Sequence, residues 1–268
     1  MVTIFDVTGF DNDGNDHSND FLASDEGFFS PDELVGLPNF YLKHLNFAES
    51  QAIGATGTGL FQPFLNMNGD ATLLGFNTDE NINGAYTAVN LDTKDIGTNA
   101  LRLGDIPIIY LDLDGNGTAE GYYQINLDIN ENNANQVSLE ELQLFTSSSQ
   151  ATLATYHFDE GAPLAFSALD GFTLRFNLDA SNEANEMTLS DEGAGQGKED
   201  YIFYFPISTF AGALSTDYVT LFSQFGPTPP MMRASLNGML WSPLIFWASS
   251  STTLTVTARA MQMAPITI

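Results

Sequence analysis

The chain has 268 residues. Its formal net charge at pH 7 is −27, because it contains 34 acidic residues and only 7 basic ones. Such a field repels nucleic acids and anionic membranes, which argues against partners of both kinds and makes divalent cations the expected counter-partners. The sequence has no cysteine, which excludes disulfides and thiolate metal sites, and its 43% apolar content is enough for a buried core.

Residues 1–45 are predicted to form an acidic, turn-rich N-terminal segment. Ser30 and Pro31 within it match the N-cap and first turn of a short helix. The opening residues have neither a basic start nor an apolar run, so the sequence contains no recognisable export signal. No apolar stretch anywhere in the chain is long enough to predict a membrane span.

Residues 46–228 are predicted to form one all-β domain, a β-sandwich or jelly roll with long acidic loops and one or two short helices. The evidence is a series of short runs rich in β-branched and aromatic residues, each bounded by Gly, Asn, Asp or Pro. Five such runs are expected to be strands, at residues 106–113, 122–129, 172–179, 200–207 and 217–225.

The segment "DLDGNGTAEG" between the first two of these runs predicts a hairpin connection, because Asp-Gly and Asn-Gly tolerate positive φ. Asp112, Asp114 and Asn116 have the spacing of positions 1, 3 and 5 of an EF-hand calcium loop. Position 12 is Tyr123, which excludes a self-contained EF-hand. The residues predict either a calcium site shared with a neighbouring loop or a plain hairpin with exposed acids.

A second oxygen-rich segment, "LDINENNANQVSLEELQLF", begins at Leu127. Asp128, Asn130 and Asn132 fit positions 1, 3 and 5 of the EF-hand loop, while Ser138 and Glu141 fit positions 9 and 12 only if two residues are inserted. The pattern predicts a lengthened calcium loop of weak affinity, since asparagines replace aspartates. The alternative is a solvated turn.

The same segment predicts a helix over residues 138–145. The pattern S-x-x-E gives Ser138 and Glu141 the places of a capping box, so under the alternative Glu141 only caps this helix. Farther along, the glycine-rich acidic stretch 181–201 predicts a mobile loop between strands.

No pattern of catalytic residues is found, and the chain is predicted not to be an enzyme. The motifs HExxH and GxSxG are absent, and the three histidines are scattered, which favours packing or surface roles for them. With so many acidic residues, some carboxylate pairs arise by chance. Such pairs alone therefore give no indication of glycoside hydrolysis.

Residues 229–268 differ from the rest of the chain. No acidic residue occurs after position 230, whereas both tryptophans and five of the eight methionines do. With a suitable choice of synonymous codons, the neighbouring reading frame of this tail becomes acidic and glycine-rich, like the upstream chain. The tail is therefore predicted to be a frameshift product, with a natural hydrophobic pair of strands as the alternative.

Several blocks in a fixed order, "LNFAESQAIGATGTGLFQPFL", "LRLGDIPIIYLDLDGNGTAEGYYQINLDINENN", "VSLEELQLF", "DYIFYFPISTFAG" and "DYVTLFSQFG", resemble exported bacterial proteins of the exosortase-sorted PEP-CTERM group. The resemblance covers residues 46–226. It implies an ectodomain at the cell surface, associated with extracellular matrix and exopolysaccharide, and it supplies no catalytic residues. In such proteins an acidic segment follows the last block, as in the alternative frame. The chain departs from the group because it lacks the sorting motif, the terminal membrane helix and its basic end.

Together these observations predict an extracellular, non-enzymatic, calcium-binding β domain with a structural or adhesive role in a bacterial surface matrix. Its expected partners are divalent cations and extracellular polysaccharide or matrix proteins. The alternative is a carbohydrate-binding module or a glycan-active enzyme on a β-sandwich, which would need exposed aromatic side chains or two carboxylates at a catalytic separation.

Overall fold

The computed structural model describes residues 2–6, 28–29, 39–45, 63–67, 73–80, 98–129, 136–156, 170–179, 184–190, 199–227 and 244–248. The regular structure in this part of the chain is mostly β-strand, with 3-10 turns at Leu103–Asp105 and Ile207–Phe210. No helix in these ranges is long and apolar enough to cross a membrane. The predicted all-β class is confirmed.

One seven-stranded sheet, here called sheet I, consists of β1 Val2–Asp6, β5 Leu73–Phe76, β6 Leu101–Arg102, β9 Gln136–Ser147, β10 Thr173–Asn177, β11 Ala184–Ser190 and β13 Tyr218–Pro227. Its strand order is β1-β11-β9-β13-β5, with β10 also paired to β9 and β6 to β13. Only the β1–β11 pair among its described ladders is parallel.

The second seven-stranded sheet, sheet II, consists of β2 Phe28–Phe29, β3 Tyr41–His44, β4 Pro63–Met67, β7 Ile108–Leu111, β8 Glu120–Ile129, β12 Tyr201–Pro206 and β14 Leu244–Ala248. Its strand order is β2-β3-β12-β8-β14-β4, with β7 also paired to β8. Its described pairs are all antiparallel. Each of the five strands predicted from the sequence has a counterpart in β7, β8, β10, β12 or β13.

The two sheets pack face to face around one large apolar core. Alternate residues of β8 and β9, including Leu127 and Leu144, point into it from opposite sheets. Four phenylalanine rings form its densest part: Phe176 meets Phe40 and Phe205 edge-on at 5.3 and 5.0 Å, and Phe203 stacks on Phe40. Because side chains alternate along a strand, the polar residues of β8 and β9 point away from this core.

Both sheets also carry buried apolar clusters on their outer faces. Phe76, Phe145, Tyr156 and Phe222 are part of the cluster on sheet I. Tyr41, Leu113, Tyr122 and Tyr204 belong to the corresponding cluster on sheet II. Polar residues on these outer faces, acidic side chains among them, can therefore be buried as well.

The helix predicted over residues 138–145 is wrong, because this segment is the middle of strand β9. The cause is a β-bulge: Gln224 of β13 pairs with Glu141, while Phe225 pairs with Leu139, so Glu140 is an extra residue. After the core residue Leu139, the bulge moves the next core position from 141 to 142. That step of three residues imitates helical periodicity in the sequence.

The structure confirms one further prediction from the sequence and contradicts part of another. The hairpin across residues 112–119 is confirmed, since Leu111 of β7 pairs with Glu120 of β8. The loop predicted over residues 181–201 is wrong at Ala184–Ser190, which form β11 and pair with both β1 and β9. The helix expected at Ser30 lies outside the described residues.

Part of the atypical tail has a definite place in sheet II. Strand β14 lies between β8 and β4, with Ile245 opposite Asp128 on one side and Asn66 on the other. A strand in the tail is what the second explanation, a natural C-terminal strand pair, requires. The frameshift itself stays a prediction that the coding sequence decides.

Truncation of a core ring tests this packing. Phe205→Ala is expected to lower the free energy of unfolding by about 3–5 kcal/mol, because it leaves a cavity among Phe40, Phe176 and Phe203. Leu214→Ala is the matched control, since Leu214 is 64% exposed and its truncation should cost less than about 0.5 kcal/mol. Chemical denaturation of both variants measures the difference, and equal costs would contradict the described core.

Candidate functional site

The turn at residues 112–118, here called the Asp112 turn, is closed by side-chain hydrogen bonds. The Gly117 N–H donates to Oδ2 of Asp112 (2.8 Å), and the Asn116 N–H donates to Oδ1 of Asp114 (3.1 Å). The Asn116 side chain donates to Asp114 Oδ2 and accepts from the Thr118 N–H. The sequence-predicted residues Asp112, Asp114 and Asn116 are thus brought together on one short turn.

Glycine at two positions allows the Asp112 turn to form. Gly115 and Gly117 have φ values of 70° and 84°, in the left-handed region that other residues adopt at a cost. Their backbone conformations bring three oxygen-bearing side chains into the same short turn.

One oxygen of this turn is left without a hydrogen bond. Oδ1 of Asp112 is shielded from solvent and accepts no hydrogen bond within the described structure, although its neighbour Oδ2 does. A buried carboxylate oxygen with no donor is costly unless a cation compensates it. The oxygen chemistry of the turn, carboxylate and amide, is the kind that calcium prefers.

The described residues add no third acid to this turn. Nowhere in the described ranges do three His, Asp or Glu side chains converge in a way that could hold a metal ion. Glu120, at the end of the hairpin, instead accepts a hydrogen bond from the Tyr122 hydroxyl at 3.1 Å. Burial, followed by the charge of Tyr41 and the contact with Glu120, raises the pKa of Tyr122 far above its usual range.

Asp128 lies on the opposite side of sheet II from the core. It is 1% exposed and alternates with the core residues Leu127 and Ile129. Two other acids are buried near this end of β8: Asp200 accepts a hydrogen bond from the Ile129 N–H at 2.6 Å, and Glu199 accepts one from Asn126 at 2.8 Å. Nothing in the sequence indicates this grouping, because Ile129 and Asp200 are 71 residues apart in the chain.

Ser138 and Glu141 lie on the outer face of sheet I, since they alternate with core residues of β9. Ser138 is fully buried, and its hydroxyl donates to Glu186 of β11 at 3.2 Å. Asp128 and Glu141 therefore point away from opposite sides of the sandwich. They cannot be ligands of one ion in this fold, and the lengthened calcium loop predicted from their spacing is not formed. Asn130 and Asn132 lie outside the described residues.

Glu141 has a different acidic neighbour, Asp179, at the end of β10. Burial, then the charge of Asp179, raises the pKa of Glu141 to about 8, and the two carboxyl groups are hydrogen-bonded to each other. Burial also raises the pKa of Asp179, partly offset by the hydrogen bond from the Asn185 N–H. The sequence does not indicate this pair, because in it Asp179 is only the last residue of the strand predicted at 172–179.

A buried histidine joins the two sheets at their edge. His44 of β3 is 5% exposed and stacks on Tyr201 of β12, with ring centroids 4.7 Å apart. The Ser190 hydroxyl at the end of β11 lies 3.3 Å from both His44 Nε2 and the Tyr201 hydroxyl. Packing is one of the two roles, packing or surface, that the sequence predicts for the histidines. His17 and His157 lie outside the described residues.

No protein-family model matches the chain, and neither does any curated protein or any solved structure.

The left-handed glycines of the Asp112 turn give a test of its geometry. Gly117→Ala is expected to destabilise the protein by about 1 kcal/mol, because a positive φ is unfavourable for alanine. A steric clash does not contribute, since a Cβ at this position meets no atom within 4 Å. Gly117→Asn, the matched control, should cost clearly less, since asparagine tolerates this region. Thermal unfolding measures both; an alanine variant as stable as the native protein would refute the described turn.

Proposed function

We propose that the chain is an extracellular, non-enzymatic β domain that binds calcium at the Asp112 turn and has a structural or adhesive role in a bacterial surface matrix. The observation that carries the proposal is Oδ1 of Asp112, which is shielded from solvent and receives no hydrogen bond within the described structure. A divalent cation bound to this oxygen compensates its negative charge in place of a hydrogen-bond donor.

The Asp112 turn offers an oxygen set of modest strength. Two carboxylates and one side-chain amide, with backbone carbonyls between them, leave several of the six to eight positions of calcium to water or to a partner. Asp114 and Asn116 are exposed, so an ion bound there stays accessible from solvent. We therefore expect affinity on the order of the millimolar range that extracellular modules have.

The rest of the molecule supports a stabilising role for the ion. The net charge of −27 makes neutralisation of carboxylates favourable, and a chain without cysteine has no disulfides to tie its loops. The resemblance of residues 46–226 to exosortase-sorted ectodomains supports the extracellular and matrix-associated part of the proposal. Binding to the folded turn alone would couple calcium to stability.

Calcium titration of the chelator-treated protein tests the site. Calcium is expected to raise the melting temperature of the native protein. Asp112→Asn should remove most of this increase, because it leaves one negative charge in the turn, on Asp114, instead of two. Isothermal titration calorimetry of the same variant should show weaker binding.

Two variants serve as controls for that experiment. Asp105→Asn removes an exposed acid outside the turn and should keep the full calcium response. Asp128→Asn should keep it too, because Asp128 lies in β8 beyond the turn. A native protein that melts at the same temperature with and without calcium would overturn the proposal, and a response lost in Asp128→Asn but kept in Asp112→Asn would move the site to Asp128.

A carbohydrate-binding module is the second candidate function, favoured by an exposed apolar patch. Tyr110 of β7 is 67% exposed, and Ile108 and Ile207 nearby are 42% and 45% exposed. Ile108 and Ile207 both pack against Gly121, the partner of Tyr110, since a Cβ on this glycine would lie 3.3 and 3.2 Å from their methyl groups. An exposed ring beside apolar surface can stack on the apolar face of a sugar. The Glu141–Asp179 pair does not favour a glycosidase, because the two carboxyl groups touch, whereas catalytic pairs stand about 5 Å or more apart.

Affinity electrophoresis in gels containing soluble polysaccharides tests this second candidate. If the patch binds glycans, at least one polysaccharide should retard the protein, and Tyr110→Ala should abolish the retardation. Leu214→Ala, which removes an equally exposed apolar side chain elsewhere, should leave it intact. Equal mobility of the native protein with and without every polysaccharide would remove this alternative and leave the calcium proposal untouched.

A further inference from the structure

Two carboxylates are held opposite each other on the outer face of sheet I. Asn177 of β10 pairs with Gln143 of β9, and the Leu178 N–H donates to the Leu142 carbonyl at 2.9 Å. Continuing this register sets Asp179 against Glu141. Leu178 and Leu142 both point into the core, so both acids point outward on the same side.

The neighbours of the pair are acids and amides. On β9, Gln143 donates to Glu141 at 3.4 Å and Glu140 adds a second negative charge. The other facing side chains are Asn177 of β10, Glu186 of β11, which is held by Ser138, and Gln224 of β13, which donates to Glu140. The charged groups that raise the pKa of Glu141 are Asp179 and Glu140, both of them carboxylates.

Asp179 also holds the corner between β10 and β11. Its Oδ1 accepts the Asn185 N–H at 2.7 Å, and the Asn185 side chain donates to the Leu178 carbonyl at 2.7 Å. Strand β11 begins at this corner and carries β1 on its outer edge. The position of Asp179 therefore affects how the edge of sheet I is attached to β9.

Like charges directly across a pair of strands destabilise a sheet, and here Asp179 is only 9% exposed. A single proton between the two oxygens turns this repulsion into a hydrogen bond. Burial, then the charge of Asp179, raises the pKa of Glu141, and burial raises the pKa of Asp179, so the pair holds one proton between its two carboxyl groups.

We propose that Glu141 and Asp179 form a proton-dependent clasp that closes the β10–β11 corner and opens when the shared proton is lost. The clasp is a pH switch built into sheet I and is separate from the Asp112 turn in sheet II. Opening frees the Asn185 contacts first, and with them the attachment of β11 and β1.

The direction of the pH dependence follows from proton linkage. The pKa of Glu141 rises from its ordinary 4.5 to about 8 in the folded protein, so the folded state keeps a proton that the unfolded state releases in this window. Stability is therefore complete below the ordinary pKa and falls as the pH rises toward 8. Opening of the clasp should become about tenfold more favourable per pH unit within the window, as for one linked proton.

Two measurements on the full-length native protein test the clasp. NMR titration of the side-chain carboxyl carbons should show Glu141 titrating near pH 8. Amide hydrogen exchange, corrected for its intrinsic pH dependence, should show the Asn185 amide losing protection with rising pH, by about tenfold per unit. The Leu103 amide, which donates to the Asp217 carbonyl at the far end of sheet I, should keep its protection.

Glu141→Gln separates the clasp from general electrostatics. The glutamine amide can donate to Asp179 at every pH, so protection of Asn185 should become independent of pH. Asp105→Asn, an exposed acid outside the pair, should keep the native pH dependence. A Glu141 carboxyl that titrates below pH 6 in the native protein overturns the proposal even if the variant does not fold. So does a native pH dependence of Asn185 protection that survives in Glu141→Gln.

Discussion

The shared core of β8 and β9 determines which polar groups of this molecule can meet. Leucines and isoleucines of the two strands point toward each other from opposite sheets, and burying them supplies the main driving force for folding. Alternation along β8 then sends Asp128 outward from sheet II, and in β9 the bulge at Glu140 shifts the alternation so that Glu141 points outward from sheet I. Residues that are close in sequence and suited to one ion are thereby placed on opposite faces of the sandwich.

Much of the fold could be predicted because it depends on local signals. The strands β7, β8, β10, β12 and β13 have the composition and boundaries of strands, and the hairpin between β7 and β8 has the glycines that its backbone needs. Strand β9 could not be recognised, since the bulge at Glu140 gives it a helical spacing. Strand β11 was hidden by the glycines and acids that follow it.

The candidate sites differ in the same way, since one depends on residues close in the sequence and the others on the pairing of distant strands. The Asp112 turn was predictable because all its oxygen-bearing side chains lie within a few residues, and its hydrogen bonds link neighbours in sequence. The Glu141–Asp179 pair depends on the register between β9 and β10, which the sequence does not state. Asp128 and Asp200 come near each other only through the pairing of β8 with β12. Contacts between residues that are close in the sequence can be predicted from it, whereas contacts between distant strands can be identified only once the fold is known.

The place of β14 has a consequence for any shortened form of the protein. Within the described residues, β4 is paired with β14 and with no other strand, and β14 also covers half of one edge of β8. Loss of residues 244–248 would strip β4 of its ladder and leave several backbone N–H and C=O groups of β8 open to solvent. Such an edge is a template for another chain, so a product ending near residue 230 would be prone to self-association.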